Sequence, residues 1–218
     1  MTHKQWVDNE YQQWIKALQE STVDNFGDHP MVKRMLGQMG VGKTIQFMRQ
    51  VDEKIFFKIF DLIDIGCDFN DYEGNFIRMA YYAEKVLRNN PTSIVEIGGG
   101  VGQFYAVLRA LGYKGKYFIY DLPEVKEFQR KYLDRVTELT GLNTDLEFTN
   151  FDYCVSFYAL GELDDETKEW YVESVVKQTP HGMIVWNPHS NASKEINFPC
   201  KIEPEYPLTH PDNKFCVW

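Results

Sequence analysis

The chain has 218 residues, 44% of them hydrophobic and 25% charged, with a formal net charge of −9; this is ordinary for a globular protein with one large core, or a core plus an added cap. The acidic balance and the lack of a dense Lys/Arg run argue against a duplex nucleic-acid partner, which needs a basic face. No apolar run approaches the ~20 residues of a membrane span. Cys67, Cys154, Cys200 and Cys216 show neither C-x-x-C nor metal-finger spacing. Without a signal peptide they read as reduced thiols in a cytoplasmic protein.

In chain order, Val7, Tyr11, Trp14, Ile15 and Leu18 fall at helical spacing and predict an amphipathic helix over about 4–20. A polar break follows at 21–30. Residues 31–36 read as a short helix, because Lys33 and Arg34 would sit at the centre of any strand. A longer helix is predicted over 44–65, with Met48, Val51, Ile55, Ile59 and Ile63 as its apolar stripe and Gly66 as its stop. A third covers 72–88, with Phe76, Ala80, Ala83 and Leu87 on one face, and Asn89, Asn90 and Pro91 end it. No strand alternation appears before residue 92. The chain is therefore expected to divide into a helical cap, 1–90, on the substrate side, and an α/β domain, 91–218.

The segment Gly37-Gln38-Met39-Gly40-Val41-Gly42-Lys43-Thr44 satisfies G-x-x-x-x-G-K-T letter for letter. A phosphate-binding loop works because a buried strand delivers its glycines to a helix N-terminus. No such strand precedes this one, so the segment is expected to be a glycine link that starts the second helix and lies near a pocket mouth.

Ser93 to Ile97 is short, apolar and β-branched, which predicts a buried strand. Glycines follow at 98, 99, 100 and 102, and an apolar run opens at Val101. Strand, glycine turn and helix in that order bring backbone close to a ligand. The pattern is acidic-x-Gly-x-Gly-x-Gly, led by Glu96. The dinucleotide fingerprint G-x-G-x-x-G fails in both registers, because Gln103 or Tyr105 stands where the last glycine belongs. Phe104, Val107, Leu108 and Leu111 face the next helix inward. Lys116 to Tyr120 predicts the second strand, ended by Asp121, whose carboxylate can accept ribose hydroxyls at the mouth of a βαβ unit. A helix from Pro123 carries Val125, Phe128, Tyr132, Val136 and Leu139, and ends at Gly141. Strands are predicted at 146–149, 153–157 and 183–186. A helix from Asp164 is expected to turn Trp170, Val172 and Val176 inward. The segments 200–206 and 214–218 read as a closing hairpin, with Pro204, Pro207 and Pro211 at edges and turns.

The run Val95-Glu96-Ile97-Gly98-Gly99-Gly100 … Tyr120-Asp121-Leu122-Pro123-Glu124-Val125 resembles the class I S-adenosylmethionine (SAM)-dependent methyltransferases. More narrowly it resembles the small-molecule and sugar O-methyltransferases, over about Pro91 to Trp218. The resemblance implies a Rossmann-like α/β fold, a mostly parallel seven-stranded sheet with a C-terminal antiparallel hairpin. It implies SAM as cofactor and S-adenosylhomocysteine (SAH) as product. The cofactor residues it implies are Glu96, Gly98, Gly99, Gly100, Gly102, Asp121, Leu122 and Phe157. Asn150 is expected to bond the adenine and Phe151 to pack on its face, although the family places a longer acidic connection there.

Methyl transfer from a sulfonium is an in-line displacement in which the protein mainly holds the groups in line. A base that takes the acceptor's proton assists a hydroxyl nucleophile. His189 is the first candidate, since histidine titrates near neutrality. Glu162 is the second, in an apolar-Glu segment similar to one in the sugar O-methyltransferase-like group. His181, His210 and Asp165 stand in reserve. No carboxylate cluster for a metal is evident, so none is expected. The partner is expected to be a small-molecule or glycan acceptor, with a homodimer through the N-terminal helices. A phenolic or nitrogen acceptor, another Rossmann nucleotide binder, or a non-catalytic domain that packs aromatic helices on a partner stay open as alternatives.

Overall fold

The computed structural model describes residues 3–22, 25–26, 29–32, 40–66, 73–137, 142–143, 150–187 and 196–218. Among the described residues, four helices of eight residues or more come first: α1 (His3–Glu20), α2 (Val41–Met48), α3 (Glu53–Gly66) and α4 (Glu73–Leu87). The sheet region then runs β1 (Ser93–Ile97), α5 (Gln103–Ala110), β2 (Lys116–Tyr120), α6 (Pro123–Val136), β3 (Leu142–Asn143) and β4 (Tyr153–Phe157). A short 3₁₀ turn (Leu160–Glu162) leads into α7 (Asp165–Tyr171), continued by a π-helical turn over Val172–Val176. Strands β5 (His181–Trp186), β6 (Lys201–Pro204) and β7 (Lys214–Val217) complete it.

The seven strands form one sheet in the order β3-β2-β1-β4-β5-β7-β6. β1 to β5 are mutually parallel where they pair, and β7 runs antiparallel to both β5 and β6. This is the Rossmann-like class I methyltransferase architecture that the sequence resemblance implied. The central strands are mostly apolar, as strands covered on both faces tend to be, and every residue of β1 and β4 is buried, Glu96 and Ser156 included. One core joins Trp14, Phe47, Ile59 and Phe76 to Phe104 and Tyr132. Apolar side chains from before and after position 91 thus share it. The other core holds Val95, Phe118, Leu160, Val175 and Trp186. Strand order reverses between β1 and β4, so the turns after these two strands open the crevice where ligands bind in such sheets.

Two expectations change, for the 44–65 helix and for Trp170. The helix predicted over 44–65 is two helices, because Asp52 caps α3: its Oδ1 accepts from the Lys54 amide at 2.8 Å. The apolar phase shifts at the break, so Phe47 is buried and Met48 lies 41% exposed. The described third strand is Leu142–Asn143, paired in parallel with Tyr117 and Phe118; the predicted stretch 146–149 lies outside the described residues, as do Leu139 and Gly141. Trp170 faces outward, 51% exposed, because it sits two residues before buried Val172, on the opposite side of the helix. Of the G-x-x-x-x-G-K-T segment, residues 40–44 are described: Gly40 caps α2, and residues 30–32 before it are helical. Among the described residues, no helix is long and apolar enough to cross a membrane.

Candidate functional site

β1 ends in the glycine turn. The Gly98 amide donates to the carbonyl of Tyr120 at 2.8 Å, which holds the turn against the end of β2. Gly98 has φ +74°, and a Cβ there would stand 2.2 Å from the Cβ of Ala159. Only glycine fits so close an approach in that conformation. Asp121 follows β2. Its Oδ2 accepts from the Gly100 amide at 2.9 Å and from Gln129 Nε2 at 3.1 Å, and its Oδ1 accepts from the Leu122 amide at 2.8 Å. Gln129 Nε2 also donates to the Gly100 carbonyl at 2.6 Å. One buried amide thus locks the glycine turn and the carboxylate into one unit. Burial pushes Asp121 up to about 7, against the amides and Lys126, which favour the carboxylate. Glu96 is 2% exposed, takes a 2.7 Å hydrogen bond from the Tyr117 hydroxyl, and burial pushes it up to about 8.

The loop after β4 forms the neighbouring wall. Ser156 Oγ donates to the Ile97 carbonyl at 2.9 Å and accepts from the Leu160 amide at 3.1 Å. That pair fixes the 3₁₀ turn beside the end of β1 and places Glu162 at the crevice. Glu162 accepts from Asn187 Nδ2 at 3.0 Å, and burial pushes it up to about 7. Phe157 stacks on Tyr82 at 4.9 Å and meets Phe104 at 4.5 Å. The next residue, Tyr158, has φ +71°, a conformation that aromatic residues rarely hold and that concentrates at functional sites. Its phenol and that of Tyr82, 2.7 Å apart, both donate to the Glu205 carboxylate, and the Arg78 guanidinium lies 4.7 Å over the Tyr158 ring.

These groups enclose a cavity of about 820 Å³, within the range of small-molecule and cofactor sites. Of the residues singled out from sequence, it brings together Glu96, Gly98, Gly99, Gly100, Asp121, Leu122, Phe157 and Glu162, with His210 on the same wall. It does not include Gly102, which caps α5 and packs against Leu133. Asn150 is exposed, and Phe151 is buried against Phe118, so neither lines the cavity. His181 opens β5, the end of the strand remote from the crevice, and Asp165 faces outward, paired with Lys168. His189 lies outside the described residues. Among the described residues, no group of three His, Cys, Asp or Glu could hold a metal ion.

Sequence reasoning missed several lining residues. α1 contributes Tyr11 and Trp14, α4 contributes Arg78, and α5 contributes Gln103. Gln103 is 6% exposed, and its Nε2 has no hydrogen-bond partner, a donor held in reserve for a ligand. Its place directly after the last glycine of the motif is the one sequence signal that could have flagged it.

No protein-family model matches the chain, and no curated protein matches it. Solved structures similar to it include magnesium protoporphyrin IX methyltransferase (ChlM) from Synechocystis PCC 6803 with bound SAM. That protein is 11% identical at a TM-score of 0.48, over 83% of this chain and 98% of that one. The SAH-bound methyltransferase PaMTH1 from Podospora anserina is 11% identical at 0.44, over 77% and 88%. A Thermoplasma acidophilum protein is 13% identical at 0.45, over 61% and 70%. These are likenesses of fold at low identity, and the chemistry is read from this chain's own residues.

Proposed function

We propose that the chain is a SAM-dependent methyltransferase that acts on a hydroxyl of a small polar acceptor, with a sugar or glycan as the preferred class. The observation that carries this reading is the single unit of glycine turn, Gln129 and Asp121 facing one cavity. The cavity offers what the cofactor needs: a carboxylate for ribose hydroxyls at Asp121, acidic Glu96 near a cationic ligand, and an unspent buried donor at Gln103. Arg78, which lies over the Tyr158 ring in the cavity wall, would supply the countercharge for the methionyl carboxylate. When bound, SAM supplies an electrophilic methyl group whose leaving group is a neutral thioether. The protein's work is then alignment and proton removal. Glu162 is the described residue best placed to take the acceptor's proton, with Asn187 fixing its orientation. His189, the first candidate from sequence, keeps that role as an alternative.

α1 to α4 form the acceptor-side cover in this reading. The exposed Val41, Ile45 and Phe57 give them an apolar face for the homodimer we propose. Titration calorimetry with SAH tests the central reading. Saturable binding is expected, weakened at least about tenfold by Asp121→Ala or Gly100→Leu. Absence of binding at millimolar SAH would remove it.

A further inference from the structure

The cavity is divided by charge. Among the described residues that line it, the carboxylates Glu96, Asp121, Glu124, Glu162 and Asp164 all come from the carboxyl ends of β1, β2 and β4 and the helices they enter. The cations Lys43 and Arg78 come from α2 and α4, and the neighbouring His210 from the loop between β6 and β7. The cation side is one connected structure. Lys43 Nζ donates to the Thr209 carbonyl, Thr209 Oγ1 lies 3.4 Å from the Tyr158 hydroxyl, and Arg78 covers the Tyr158 ring.

The loop on this side is held with unusual care. Glu205, 1% exposed, receives five hydrogen bonds: from Tyr82, from Tyr158, from the Thr209 amide and hydroxyl, and from Asn213 Nδ2. Those donors occupy both carboxylate oxygens, so Glu205 answers to hydroxyls and amides rather than to Lys43. Asp212 is 73% exposed, and its amide donates to His210 Nδ1 at 3.3 Å, which fixes the imidazole in the loop. Asn213 is 3% exposed and lines the cavity. Its amide nitrogen is spent on Glu205 and Thr209, which fixes which way round the amide sits. Its Oδ1 has no hydrogen-bond partner. A buried acceptor of this kind, in a wall clamped by a buried carboxylate, is positioned for a ligand hydroxyl.

SAM carries one anionic group, and Arg78 answers it. Lys43 is a second cation in the wall, exposed and bonded to the Thr209 carbonyl. We propose that the acceptor is an anionic polyol, a sugar bearing a carboxylate or a phosphate, with its charged group at Lys43 and a hydroxyl donating to Asn213 Oδ1. This inference rests on the methyltransferase reading and adds the acceptor's charge to it. It also gives Lys43, the lysine of the G-x-x-x-x-G-K-T segment, a role outside nucleotide binding.

The test uses the intact chain saturated with SAH and titrated with glucuronate, glucose 6-phosphate and glucose. At least one of the two anions is expected to bind about tenfold or more tighter than glucose. Preference for glucuronate assigns a carboxylate, and preference for glucose 6-phosphate a phosphate. Lys43→Ala, an exposed position that leaves the core intact, is expected to erase most of that preference with the Kd for SAH unchanged. Asn213→Asp, which replaces the amide that Glu205 holds, is expected to weaken all three sugars and spare SAH. Equal affinity for glucose and both anions would overturn the proposal. So would a Lys43→Ala variant that loses SAH and sugar affinity in parallel. If SAH itself fails to bind, the methyltransferase reading falls and takes this inference with it.

Discussion

Glu162 combines three properties that a proton acceptor needs: a place in the cavity wall, a fixed orientation through Asn187, and a carboxyl that burial pushes up to about 7. The ionised form is the base, so activity should rise with pH through about 7 and level off above it. Glu162→Gln should lower kcat by about 10²–10⁴ and remove that ascending limb, with little change in SAH affinity. A pH–rate profile of both proteins checks this. A limb that persists in the variant would hand the role to another group, His189 first. Much of the site was legible from residues alone. The glycines, Glu96, Asp121 and Glu162 stand next to strand ends, where local sequence dictates their place. Gln129, Arg78 and Asn213 were not legible, because they enter from helix faces and a distant hairpin loop through packing that no spacing encodes.

At the scale of elements, short-range chemistry sets the boundaries. Asp164 accepts from the Thr167 amide at 3.0 Å and from its hydroxyl at 2.7 Å. These bonds start α7 and fix the end of the loop that carries Glu162. Asp164→Ala should cost about 1 kcal/mol of stability and raise the acceptor KM more than the SAH Kd, because the loop loosens before the glycine turn does. Thermal unfolding and steady-state kinetics would separate the two effects. The strands of the central sheet were readable because they are short, mostly apolar runs bounded by turn residues. The 44–65 segment misled because its apolar period passes through Asp52, a residue whose capping bond outweighs the periodicity. Trp170 misled because it and Val172, two residues apart, cannot share one face of a helix, and Val172 takes the buried side.

For the whole molecule, the crevice gathers carboxyl groups that burial pushes upward: Glu96 to about 8, and Asp121 and Glu162 to about 7. Unfolded carboxyls titrate near 4, so between about 4 and 8 the folded chain binds more protons than the unfolded one. Their contribution to stability is complete below the unfolded values and is lost as pH rises through the folded ones. The ligand-free protein should therefore melt at a lower temperature at pH 8 than at pH 5.5. Glu96→Gln should flatten part of that slope. Asp152, held low by Thr92 and Ser93, acts below this window and does not mask the trend. A melting temperature that rises across the same interval would contradict the account.

Trp14 offers a direct optical consequence of how α1 lies on the crevice. It is 3% exposed and forms part of the cavity wall, so an adenosyl compound entering there changes what surrounds an indole already shielded from water. The emission of the ligand-free protein should shift or dim as SAH is added, and Trp14→Phe should silence that response while calorimetric binding persists. The fold thereby carries its own built-in reporter of occupancy, readable without a label.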